Sequence, residues 1–136
     1  MKVVIDTNII IAIINKTSPY RWVFECLIDG RLILCVSTDI LFEYREILAA
    51  KTNAEVADNF IAFLMMSPFI ERVEIYYSFN LIHTDTSDNK FADCAIAANA
   101  NFLILNDRHF NVLKTIDFPK LELLSLKEFE LLRTQL

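Results

Sequence analysis

An alternation of short apolar runs with longer helical segments constrains this chain most. Residues 2–6, 32–36, 102–106 and 121–124 are brief, apolar and rich in β-branched side chains or leucine. Runs of that length with polar flanks suit strands of a sheet covered on both faces. Residues 71–77 alternate polar and apolar around Val73 and Ile75, which predicts a half-exposed edge strand. Helices are predicted over residues 8–15, from Ser18-Pro19 to the stop at Asp29-Gly30, over 39–51 behind a Ser37 or Thr38 cap, and over 54–66 behind Asn53. Another runs from Ser87 or Asp88 to about residue 100. A short one covers 109–115, and Ser125 caps the last, with Glu128 in its first turn. Strands that alternate with helices imply an α/β fold: a three-layer α/β/α sandwich with a mostly parallel central sheet. Residues 1–136 are read as a single domain. One glycine and three prolines leave little room for linkers.

Five acids stand out against this pattern: Asp6, Glu43, Asp88, Asp93 and Asp107. Asp6 closes the first strand and Asp107 follows the 102–106 run. Open parallel sheets carry their sites at the carboxyl ends of the strands, where both fall. Glu43 flanks the stripe Ile40, Leu41, Tyr44, Ile47 and Leu48, and its same-face neighbours Asp39 and Glu46 are also acidic, so no local ion pair explains it. Asp93 is the only charge in Phe91-Ala92-Asp93-Cys94-Ala95-Ile96-Ala97-Ala98. It either projects to solvent or is held by a buried partner. Asp88 suits a helix cap as well as a ligand, and Asp85 reads as structural. Carboxylates gathered on one edge repel unless a cation joins them, and hard divalent ions prefer oxygen ligands. The reading is a metal-dependent site that handles phosphodiesters.

The net charge of −5 has the wrong sign for a simple nucleic-acid binder. Setting the five acids aside leaves a balanced remainder, and a bound cation shifts the local field toward positive. Cys26, Cys35 and Cys94 form no C-x-x-C pair and read as core thiols. Asp6 and Asn8 interrupt the apolar N-terminus, which argues against a signal peptide. No run approaches the roughly 20 apolar residues needed to span a bilayer. A cytoplasmic, soluble protein with no membrane partner is expected.

These motifs together resemble the PIN-domain family of small metal-dependent ribonucleases, in its VapC-like toxin branch. Val4-Ile5-Asp6-Thr7-Asn8-Ile9 is similar to the family's first motif and Ser37-Thr38-Asp39-Ile40-Leu41-Phe42-Glu43 to its second. Asp88-Asn89-Lys90-Phe91-Ala92-Asp93-Cys94-Ala95 resembles the third and Asn106-Asp107 the fourth. The likeness covers nearly the whole chain. It implies that Asp6, Glu43, Asp93 and Asp107, with Asp88, hold Mg²⁺ or Mn²⁺, and that Asp6, Glu43, Asp93 and Asp107 are catalytic. Thr7, Asn8, Lys90 and Asn106 would support them. Two departures stand out. Leu105 occupies a position that usually carries Ser or Thr, so Asn106 or Thr7 would supply the missing polar group. Thr86-Ser87 replaces the Pro and further acid common in relatives, which weakens a second metal position.

The implied activity is endoribonuclease cleavage by metal-activated water, as the toxin of a toxin–antitoxin pair. The implied partners are an RNA substrate, an antitoxin protein and a second copy of the chain. Helical residues 8–15 and 54–66 are candidate interfaces. Lys90 and Arg108 are candidate RNA-backbone contacts, and Tyr20, Tyr76 and Tyr77 candidate base-stacking groups. His83 and His109 fit no zinc pattern. The competing reading is a catalytically inactive PIN-like module that acts through RNA or protein partners. A dehalogenase-type phosphotransferase also opens on a strand-end Asp, but its second Asp would stand where this chain has Asn8.

Overall fold

The computed structural model describes residues 1–81, 89–106 and 121–136. The expected helix over 109–115, the polar loop before Asp88 and the residues Asp85, His83, His109 and Arg108 lie outside the described residues, as do Asp88 and Asp107. Among the described residues the strands are β1 (Lys2–Ile5), β2 (Ile33–Val36), β3 (Ile70–Arg72), β4 (Phe102–Ile104) and β5 (Leu123–Leu124). The helices are α1 (Thr7–Ile14), α2 (Arg21–Asp29), α3 (Thr38–Lys51), α4 (Ala54–Met66), α5 (Asn89–Ala98) and α6 (Leu126–Glu130). The strands form one sheet in the order β3-β2-β1-β4-β5, and every pairing is parallel.

An all-parallel sheet needs cover on both faces, and the burial follows. Val3, Val4, Ile5, Leu34, Cys35, Val36 and Ile104 are wholly buried. Helix α5 packs on β1, β2 and β4, while α3 packs on α4 and α1. A stack of Trp22 on Phe129 (centroids 5.6 Å apart) ties α2 to α6. The three cysteines are free and buried, and burial pushes the Cys35 and Cys94 thiols up to about 12. No helix among the described residues is long and apolar enough to cross a membrane.

Most boundaries follow local chemistry. Ser37 caps α3, Asn53 caps α4, and Ser125 and Glu128 form a reciprocal capping box on α6. The sole glycine, Gly30, ends α2 at φ 81°, where a Cβ would meet the Phe69 ring at 2.6 Å.

Three expectations need correction. Helix α2 begins at Arg21 rather than at Ser18-Pro19. Ser18 instead forms a turn, its carbonyl accepting from Arg21 N–H and its hydroxyl oxygen from Tyr20 N–H. The edge strand expected over 71–77 is only Ile70–Arg72. Its partner β2 leaves the sheet at Ser37 to cap α3, so after Val73 N–H bonds to Val36 there is no ladder left to extend. Strands expected over 102–106 and 121–124 shorten to Phe102–Ile104 and Leu123–Leu124.

Candidate active site

The strand order has its switch point at β1: chain order runs outward through β2 and β3 on one side, then returns to β4 and β5 on the other. In open parallel sheets the crevice that takes a ligand lies at such a switch point, outside the carboxyl ends of the strands. Asp6 stands at that position, and its N–H bonds the carbonyl of Ile104 at 3.0 Å. Asp6 is buried and is itself the N-cap of α1: its carboxylate accepts from Thr7 N–H at 2.8 Å. Asp6 takes the capping role because β1 turns directly into α1 with no residue to spare. Thr7 is buried within the first turn and Asn8 is exposed.

Glu43 is brought to this crevice by its neighbour. Tyr44 is fully buried, and its hydroxyl donates to the carbonyl of Ile5, at the end of β1. Burial pushes the Tyr44 phenol well above its ordinary range, and Cys94, Asp6 and Glu43 push it the same way. One of the Glu43 oxygens accepts from the Thr7 hydroxyl and the other pairs with Lys90 Nζ at 2.8 Å. No residue of its own helix pairs with Glu43; the cation is non-local. It comes from α5, 47 residues along the chain, which no helical spacing rule could find. Arg45, by contrast, points away to Asp58.

Asp93 is 5% exposed and sits on α5 among buried apolar neighbours. It accepts from Phe79 N–H at 3.1 Å and from the Ser78 side chain. Burial pushes its carboxyl above the ordinary 3.8, and those two hydrogen bonds offset only part of the rise. Among the described residues no lysine or arginine forms an ion pair with it. Asp93 lines a cavity of about 230 Å³ with Ser37, Asp39, Ser78, Asn80 and Lys90. Ser78 and the Phe79 amide were not anticipated as site groups; the 73–80 segment carries no motif, and only folding brings it over α5.

Asn106 is exposed, and its side chain accepts from Leu126 N–H at 3.4 Å, steadying the start of α6. Leu105 is buried and offers no hydroxyl. The hydroxyl that touches a site carboxylate belongs to Thr7. Tyr76 and Tyr77 are strongly exposed, whereas Tyr20 packs partly against the core.

Asp6, Glu43 and Asp93 offer only oxygen donors, the chemistry a hard divalent cation requires, and Asp6 and Glu43 share Thr7 as a neighbour. In donor type the residues fit such an ion. Among the described residues, no group of three His, Cys, Asp or Glu is close enough to hold a metal.

The comparisons agree with this architecture. A family model described as PIN domain matches residues 2–109, so the chain belongs to the PIN domain family. Among solved structures it is similar to VapBC2 from Rickettsia felis bound to a DNA fragment from their promoter, with 20% identity and a TM-score of 0.61 over 92% of this chain and 98% of that one. It is also similar to VapBC-1 from nontypeable Haemophilus influenzae, at 16% identity and a TM-score of 0.59 over 93% and 99%. The PIN domain endonuclease Utp24 follows at 21% identity and a TM-score of 0.53 over 91% and 84%. At these identities the likeness is one of fold. No curated protein matches the chain significantly.

Proposed function

We propose that the protein is a divalent-metal-dependent endoribonuclease, the toxin of a toxin–antitoxin pair, using Mg²⁺ or Mn²⁺. The observation that carries this reading is the presentation of Asp6, Glu43 and Asp93 from three separate elements on a PIN fold, with Asp6 and Glu43 linked through Thr7 beside the sheet's switch point. Asp6, Glu43 and Asp93 would hold the cation, with Asp88 and Asp107 as further candidates from outside the described residues. When bound, the cation supplies a Lewis acid that acidifies water and offsets charge on the phosphate. The chain's own groups do the positioning. Thr7 orients Glu43, Tyr44 fixes α3 against β1, and Ser78 with the Phe79 amide aims Asp93. Lys90, Asn80 and Asn89 line the cavity beside Asp93, where a phosphate can be received.

The likeness to VapBC2 and VapBC-1 supports an antitoxin protein as partner. An apolar surface supports it too: Ile28, Met65 and Met66 are exposed, and Ile14, Phe24, Ile28 and Phe63 line a groove of about 380 Å³. A homodimer belongs to the same proposal.

The test is cleavage of a mixed pool of structured and single-stranded RNA with Mn²⁺ or Mg²⁺ against EDTA, using wild type and Asp6→Asn. Asn is as good a helix cap as Asp, so the variant keeps α1 while losing the charge. Metal-dependent cutting that vanishes in Asp6→Asn supports the nuclease. Equal cutting by both proteins, or none with any metal, turns the assignment to a non-catalytic binding module. Two observations favour that second reading: Glu43 is already engaged by Lys90, and no three described ligand groups converge.

A further inference from the structure

Among the described residues, Lys90 pairs with the acidic edge through Glu43, and a packed helix sets its place in the fold. It occupies the first turn of α5, a helix whose Phe91, Ala92, Cys94 and Ala95 are buried against the sheet. The backbone at Lys90 is thus held by the helix it belongs to. Its ammonium takes one oxygen of Glu43 at 2.8 Å while the Thr7 hydroxyl takes the other. Both carboxylate oxygens are thus engaged by the chain's own groups. The pair is 22% and 21% exposed, between a surface ion pair and a buried one. Attraction there exceeds that of a fully solvated pair, yet water still reaches both groups. Lys90 and Asp93 stand three residues apart on one helix face and line the same cavity. A displaced ammonium therefore has a polar place to go.

We propose that Lys90 is a built-in competitor for Glu43, so that a divalent cation gains this carboxylate only by displacing the lysine ammonium. This rests on the reading of the edge as a metal site and adds a regulator to it. Metal affinity is set by the difference between two cations contending for one carboxylate. Glu43 then stays neutralised while metal is scarce.

Mn²⁺ binding at fixed ionic strength, followed by the electron paramagnetic resonance of free Mn²⁺ and by calorimetry, tests the competition without any nuclease assay. Lys90→Met keeps chain length and helix propensity while removing the charge. It is expected to bind Mn²⁺ about tenfold more tightly than wild type, and Lys90→Arg to stay within about twofold of it. In a Glu43→Gln background the gain from Lys90→Met should shrink to about threefold or less, because the contested oxygen has lost its charge. Lys90→Gln provides a second neutral variant, with melting curves confirming that each protein is folded. A Lys90→Met protein that binds no tighter than wild type overturns the competition, as does an undiminished gain in the Glu43→Gln background. Either result leaves the nuclease reading standing. Absence of Mn²⁺ binding in every variant overturns the metal site, and the competition with it.

Discussion

Glu43 and Asp93 lie on facing helices of one edge and are stabilised in opposite ways. Glu43 is partly exposed and saturated, with an ammonium on one oxygen and a hydroxyl on the other. Asp93 is nearly sealed from water, holds only neutral donors among the described residues and is pushed toward protonation by burial. The first arrangement stabilises an anion; the second raises the free energy of an anion until a cation comes. On the proposed metal site, a cation would gain Glu43 by displacing its partners and Asp93 by relieving its poor solvation.

Asp93→Asn should have the largest effect, and with opposite signs for activity and stability. On the proposed metal site, loss of this charge should lower RNA cleavage by about 100-fold or more, measured under saturating Mn²⁺. Thermal stability should not fall, because Asn can still accept from Phe79 and carries no charge to desolvate. The pH dependence follows from the raised carboxyl. Protonated Asp93 is favoured in the folded state, so its contribution to stability is complete below the ordinary value of 3.8 and is lost as pH rises through the folded value. The melting temperature of Asp93→Asn relative to wild type should therefore grow from acid toward neutral pH. A gap that narrows instead breaks the contrast with Glu43.

Glu43→Leu should do the reverse to stability. It leaves the Lys90 ammonium and Thr7 hydroxyl partly enclosed without their acceptor, and should cost about 1–2 kcal/mol in urea denaturation. Thr7→Val, which removes only the hydroxyl, should cost about 1 kcal/mol. The Thr7→Val and Glu43→Leu double variant should lose less than the two single losses combined, since both cut one link. Strict additivity would show that the hydroxyl does not act through Glu43.

The smallest effect should come from Glu71, on the outer strand β3. The Lys2 ammonium holds the Glu71 carboxyl below its ordinary 4.5, so its contribution is present above that value and lost as pH falls through the folded one. Glu71→Gln should remove a shallow part of the acid-unfolding limb, followed by circular dichroism. Because the pair is more than a third exposed on both sides, salt should erase the difference. The pH trend runs opposite to that of Asp93, which separates the two kinds of acid in a single titration series.

Much of the fold was legible in the chain. Alternating apolar runs set strands and helices, and Ser37, Asn53, Ser125 and Gly30 marked ends because caps act within a few residues. The length of β3 was not legible, because it depends on where β2 departs. Nor was the start of α2, where a serine turn displaced the proline signal. Asp6, Glu43 and Asp93 were singled out by their misfit with the local pattern, and Leu105 by the polar group it lacks.

What the sequence determined by itself was local: which segments fold, where they are capped, and which acids are out of place. What only the tertiary structure decided was company. Lys90 meets Glu43, Tyr44 anchors to Ile5, and Ser78 with Phe79 holds Asp93, each across a span that helix or strand periodicity does not encode. Those partners are chosen by the order of strands in the sheet, which brings distant helix ends to one edge. They decide which carboxylate is already neutralised and which remains poorly solvated.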